Sequence, residues 1–135
     1  MKAELSYREI EMLIRDKADK NVRVSYENSK TIKVSYDIDM FFTTKTVEVY
    51  LEVRHVSPAS IKLRYYSYGF AVETIVSGIL NMMDSDIYSK GDDNMLTIFL
   101  KNIDGLGSAF KTISLNDVTF TSSVASVVMQ IKYQQ

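Results

Sequence analysis

The chain has no cysteine and no tryptophan, and only one proline, one histidine and five glycines in 135 residues. Without cysteine there is no disulfide and no thiolate ligand for a metal, and the thiolate nucleophile is missing too. Little proline and glycine leaves no stretch with the composition of a linker or a low-complexity tract. Nowhere do eighteen apolar residues follow one another, so no segment reads as a membrane-spanning helix and membrane insertion is not expected. The opening "MKAELSYREIEML" lacks the apolar run of a signal peptide, which with the missing span implies a cytoplasmic protein. Charge of one sign is scarce as well: 16 Lys and Arg against 17 Asp and Glu give a net charge of -1. With both signs interspersed, the field that draws a protein onto nucleic acid is absent, and nucleic-acid binding is not expected.

What is present is ordinary core-forming material, 46% hydrophobic and 24% charged. At this length a single domain over residues 1–135 can bury roughly two-thirds of the surface its unfolded chain exposes. Residues 6–20 read as a helix, because Ser6 and Glu9 form a capping box and Leu5 is placed to staple onto Ile10. Tyr7, Ile10, Leu13, Ile14 and Ala18 make its apolar stripe, and Glu11 with Arg15 and Asp16 with Lys20 are favourable pairs on the outer face. The period then changes to two. Val22, Val24 and Tyr26 alternate with polar residues, and after the "ENSK" turn so do Ile32, Val34, Tyr36, Ile38 and Met40. A third run carries Val47, Val49, Leu51 and Val53, and a fourth, beyond "VSPAS", carries Ile61, Leu63 and Tyr65. One wet face per strand is the pattern of an antiparallel meander.

"SYGFAVETIVSGILNMMDSD", residues 67–86, returns to a helical period. Ala71, Val72, Ile75, Val76, Ile79, Leu80, Met82 and Met83 cover roughly half the circumference, more than the stripe of about 100° on a surface helix. Its other side holds Glu73, Thr74, Ser77, Gly78 and Asn81, with Phe70 intruding near the amino end. After the polar "DSDIYSKGDDN", a strand from Asn94 to Leu100 is apolar on both faces, with Leu96, Ile98 and Leu100 on one and Met95 and Phe99 on the other. "NIDGLGSAFKTIS" reads as a turn with a short helix. Val118 and Phe120 then pair with a strand carrying Ala125, Val127, Met129, Ile131 and Tyr133. The order α-β-β-β-β-α-β-short α-β-β implies an α+β fold in two layers. About seven antiparallel strands form one curved sheet, with the long apolar helix in its concave face and the N-terminal helix at an edge.

Residue types with chemistry are present without the spacing that chemistry needs. His55 is in phase with the inward residues of the third strand and is the one candidate general base. Asp37 and Asp39 lie two apart on a wet strand face, which is the arrangement of solubilising charge. "DSDIYSKGDDN" fails the calcium-loop spacing, since Tyr88 stands at a ligand place and Ser89 where the turn requires glycine. "GLGSAFK" lacks the third glycine of a dinucleotide loop, where Phe110 stands, and Lys111 lacks Walker spacing. No metal, cofactor or catalytic set emerges, and the chain is read as not an enzyme.

A long apolar helix held by a curved antiparallel sheet resembles the lipid-binding domains of the bactericidal/permeability-increasing type. The resemblance implies an apolar cavity between helix and sheet, lined by residues such as Val72, Ile75, Ile79, Met82 and Met83. Function therefore ranks as follows. First comes a binding or assembly module that self-associates through Thr74, Ser77, Gly78, Asn81, Met95 and Phe99, where small residues and a strand without a wet face invite a second copy or another protein. Next comes carriage of an apolar, lipid-like small molecule in that cavity, and last an enzyme using His55.

Overall fold

The structure is a computed structural model that describes residues 1–18, 21–39, 41–68 and 72–132; the side chains of residues 17, 18, 72, 74 and 75 also lie outside the description. Expectations that rest on Lys20, Met40, Phe70, Ala71 and Tyr133 fall outside it, as do those on the side chains of Ala18, Val72, Thr74 and Ile75. The elements run β1 (Lys2–Ser6), α1 (Tyr7–Ala18), β2 (Arg23–Asn28), β3 (Thr31–Asp39), β4 (Thr44–Ser57), β5 (Ser60–Tyr66) and α2 (Val72–Leu80). They continue with β6 (Tyr88–Lys90), β7 (Met95–Phe99), two 3₁₀ turns (Leu100–Asn102 and Gly107–Lys111), β8 (Ile113–Phe120) and β9 (Val124–Ile131). The α+β character and the antiparallel pairing agree with the sequence reading. The single sheet of about seven strands does not, because the strands divide into two sheets, β2-β3-β4-β5-β7-β6 and β1-β9-β8.

β8 and β9 pair with each other and not with the larger sheet, and two further strands were not expected. β1 pairs antiparallel with β9, Lys2 opposite Val128 through Ser6 opposite Val124, in a segment too short to display a period. β6 lies inside the polar "DSDIYSKGDDN" and pairs with β7 through Tyr88, Ser89 and Lys90. Its return is a tight turn in which the Met95 amide donates to the Asp92 carbonyl at 3.2 Å. Asp93 and Asn94 take φ of 57° and 59° there, a left-handed pair that Asp and Asn tolerate and that matches the twist of a hairpin.

Among the described residues the second helix spans Val72–Leu80, whereas the apolar helical pattern runs on to Met83. Residues 81–83 follow it as a turn, the Met82 amide donating to Ile79 and the Met83 amide to Leu80, so the apolar periodicity outlasts the helix. A long apolar helix in a concave face is accordingly not what the structure shows. Val76 and Leu80 do enter the core, joining Val24, Ile32, Val34, Val47, Val49, Val53, Tyr65 and Leu96 of the larger sheet and Val118, Phe120 and Ala125 of the smaller.

α1 begins as its capping box requires. The Ser6 amide donates to Glu9 Oε1 at 3.0 Å and the Glu9 amide to Ser6 Oγ at 3.1 Å, which satisfies two orphan donors reciprocally and holds the Glu9 carboxyl below its ordinary pKa. Glu11, expected to face Arg15, instead accepts the Val24 amide at 2.9 Å and so fastens the helix to edge strand β2. The two sheets are joined at the β2–β3 turn, where Lys30 Nζ donates to Asp117 Oδ1 at 2.8 Å and to the Val118 carbonyl at 3.1 Å.

Candidate functional cavity

Residues paired directly across antiparallel strands share a face, so the registers sort the larger sheet unambiguously. Val34 opposes Val49, Leu51 opposes Tyr65, and Leu63 opposes both Val53 and Leu96; these residues form the inner face. α1 and α2 lie against that side, and between them remains a cavity of about 310 Å³. Ile10, Leu13 and Ile14 contribute from α1, Val76, Ile79 and Leu80 from α2, and Val34, Val49, Leu51, Leu63, Leu96 and Ile98 from the strands. Met83, Leu100, Ile103 and Leu106 complete it from the segments that follow α2 and β7. Every described lining residue is aliphatic or a thioether. Leu13 remains 38% exposed, which locates an opening beside α1.

One end of α2 is tied down by polar contacts. Lys90 Nζ donates to Glu73 Oε2 at 2.8 Å and to Ser77 Oγ at 3.2 Å, while the fully buried Tyr65 donates its hydroxyl to Glu73 Oε1 at 2.5 Å. The Lys90 and Tyr65 bonds hold the Glu73 carboxyl below its ordinary value, and burial, with Glu73 adding to it, raises the Tyr65 phenol. This answers the scarcity of charge on the polar side of α2: a lysine from β6, distant in sequence, supplies it.

Of the residues expected to line an apolar site, Ile79 and Met83 do so. Met82 instead is 47% exposed and borders a separate surface depression with Asp16, Asp84, Ile87, Asn102 and Asp104; Val72 and Ile75 lie outside the described side chains. The expected interface set divides in two. Ser77 faces Lys90 on the inner side of the sheet, Gly78 is exposed on α2 and Asn81 is exposed in the turn that follows it, whereas Met95 and Phe99 oppose Arg64 and Ser60 on the outer face. β7 lies between β5 and β6, and its outer-face residues Met95, Thr97 and Phe99 are half-buried.

His55 is turned away from the core. Leu63 opposes Val53 and Lys62 opposes His55, so Arg54 is an extra residue, a β-bulge that reverses the alternation. The imidazole is exposed beside Lys62, with no hydrogen-bond partner among the described residues. Asp37 and Asp39 also remain outside; Asp37 accepts from Thr46 at 2.8 Å and Arg23 at 3.2 Å, and Asp39 from Thr44 at 3.2 Å. Among the described residues no group of three metal-ligating side chains converges. The "GLGSAFK" glycines are structural. Gly105 takes φ of 86°, and a Cβ on Gly107 would stand 2.2 Å from the Lys101 carbonyl oxygen.

Sequence reasoning missed α1 and the β3–β5 strands as cavity walls, although their apolar positions were legible; what could not be read was that these faces converge without filling the space between them. No family model matches the chain, and no curated protein or solved structure does.

Proposed function

We propose that the protein is a non-enzymatic binding module that takes an apolar group, a short acyl chain or an unsubstituted ring system, into the cavity between its helices and the larger sheet. The observation that carries this reading is the lining itself: about 310 Å³ bounded, among the described residues, by sixteen aliphatic or thioether side chains. Protein interiors are close-packed, whereas this pocket opens beside Leu13 and leaves its apolar lining against water unless an apolar group occupies it. A dry apolar cavity of about half this volume already takes up benzene. With no polar group among the described lining residues, recognition is by volume and shape, and a carboxylate or headgroup of the ligand stays at the opening beside Leu13.

Native mass spectrometry of protein purified without detergent, with calorimetric titration of decanoate, tests the reading. A bound apolar mass or saturable binding is expected, weakened at least tenfold by Leu51→Phe, which extends a ring into the cavity. A ligand-free protein that binds no decanoate, or one whose binding is indifferent to Leu51→Phe, overturns it.

A further inference from the structure

β3 and β4 pair without interruption from Thr31 opposite Glu52 to Asp39 opposite Thr44, and Thr44 Oγ1 closes the base of their turn on Asp39. At the end of this long hairpin stand Phe41 and Phe42, 96% and 95% exposed, with ring centroids 5.5 Å apart. Two adjacent phenylalanines wholly in water are unlike the singly scattered apolar residues of an ordinary surface. They cannot serve the chain's own cavity. The nearest lining residues on the hairpin, Val34 and Val49, are seven positions from Phe41 and Phe42, roughly 20 Å away at about 3.3 Å per residue along a stiff ladder.

We propose that the Phe41–Phe42 tip docks the protein on a zwitterionic lipid surface, the two rings entering the acyl region and the strand ends behind them lying among the headgroups. Three observations favour that partner. Two rings can bury roughly 300–500 Å², well short of the ~800 Å² per side of a stable protein interface, whereas a bilayer needs no shape complementarity. The polarity is layered along the hairpin axis: aromatic at the tip, then Thr43, Thr44 and Asp39, then Lys45, Thr46 and Asp37, each exposed. This repeats the order of a membrane interface from hydrocarbon to headgroup. The charges behind the tip are of mixed sign, with Arg23 paired to Asp37 at 3.2 Å, so attraction to anionic lipid is not what drives the contact. The tip and the cavity are separate surfaces, and docking does not depend on the cavity's being filled.

The absence of tryptophan makes the test direct, because Phe42→Trp introduces a single indole at the tip. With phosphatidylcholine vesicles, its emission shifts to the blue and is quenched by lipid brominated along the acyl chain. Two rings bind more weakly than one myristoyl chain (~10⁴ M⁻¹), so half-saturation is expected at roughly 1 mM lipid. Flotation of the unsubstituted protein with the same vesicles falls at least tenfold in Phe41→Ser/Phe42→Ser, whose circular dichroism is unchanged because both side chains lie in water, while Leu51→Phe floats normally. Emission unaltered by about 10 mM lipid overturns the proposal. So does binding confined to phosphatidylglycerol vesicles and abolished by salt, which is electrostatic adsorption. A blue shift without lipid that grows with protein concentration overturns it as well, since the tip is then buried in a second copy.

Discussion

Gly107 and Gly105 sit two positions apart and are required for different reasons. At Gly107 any Cβ meets a backbone carbonyl that cannot step aside, so Gly107→Ala is expected to cost about 3 kcal/mol, the upper end of overpacking. At Gly105 the space is open and the penalty is the left-handed backbone alone, about 1–2 kcal/mol for alanine. Urea unfolding of the two variants separates them. The carboxylates make a second prediction. Glu73 titrates below its ordinary 4.5, and Asp37 and Asp117 below 3.8, the last because Lys30 donates to it. A depressed folded-state pKa means that the unfolded chain binds more protons in this range, so the stabilisation is complete above the unfolded values and is lost as pH falls through the folded ones. The melting temperature should therefore fall as pH drops below the ordinary carboxylate values. Glu73→Gln should lower it at neutral pH and flatten the decline, and differential scanning fluorimetry across that range reads both.

At the scale of elements, what was legible was local chemistry. Ser6 and Glu9 identified the start of α1 because their reciprocal bonds lie within four residues, and Ser6→Ala is expected to cost about 1 kcal/mol in thermal or urea unfolding. Gly78, exposed in α2 with nothing within 4 Å of a Cβ, should show the opposite sign in the same assay: Gly78→Ala stabilises by about 0.5–1 kcal/mol. The alternation of β2 to β5 was equally plain. What escaped was whatever depends on a distant partner. β1 exists because β9 supplies its ladder, β6 because β7 does, and the Arg54 bulge, which carries His55 outward, leaves no mark in a run whose apolar residues keep period two as far as Val53. The apolar period of residues 67–86 overstated α2, since periodicity records which side chains are buried, and the turn at residues 81–83 keeps Met83 half-buried without helical bonds.

At the scale of the molecule, the two sheets share one core, yet the faces of α1, α2 and β3–β5 enclose a volume they do not fill. An apolar ligand that binds only the folded state raises stability by mass action, by about 2.7 kcal/mol at a hundredfold excess over Kd. A melting temperature that climbs with decanoate in the unsubstituted protein, and much less in Leu51→Phe, is the expected outcome in differential scanning calorimetry. The hairpin tip belongs to this scale too, because the exposure of Phe41 and Phe42 follows from the length of the β3–β4 ladder and not from any property of the two residues.

By itself the sequence determined the elements whose causes are local: the capped first helix, the one-sided strands and their antiparallel pairing, and the lack of any metal or nucleotide motif. Only the tertiary structure decided that there are two sheets, that Lys90 meets the polar side of α2, that Met95 and Phe99 lie on the opposite face of the sheet from Ser77, and that an apolar cavity remains. The physical reason is that alternation and capping act between neighbours in the chain. Register, bulges and unfilled volume are set by how surfaces from distant segments meet, and no single segment carries that information.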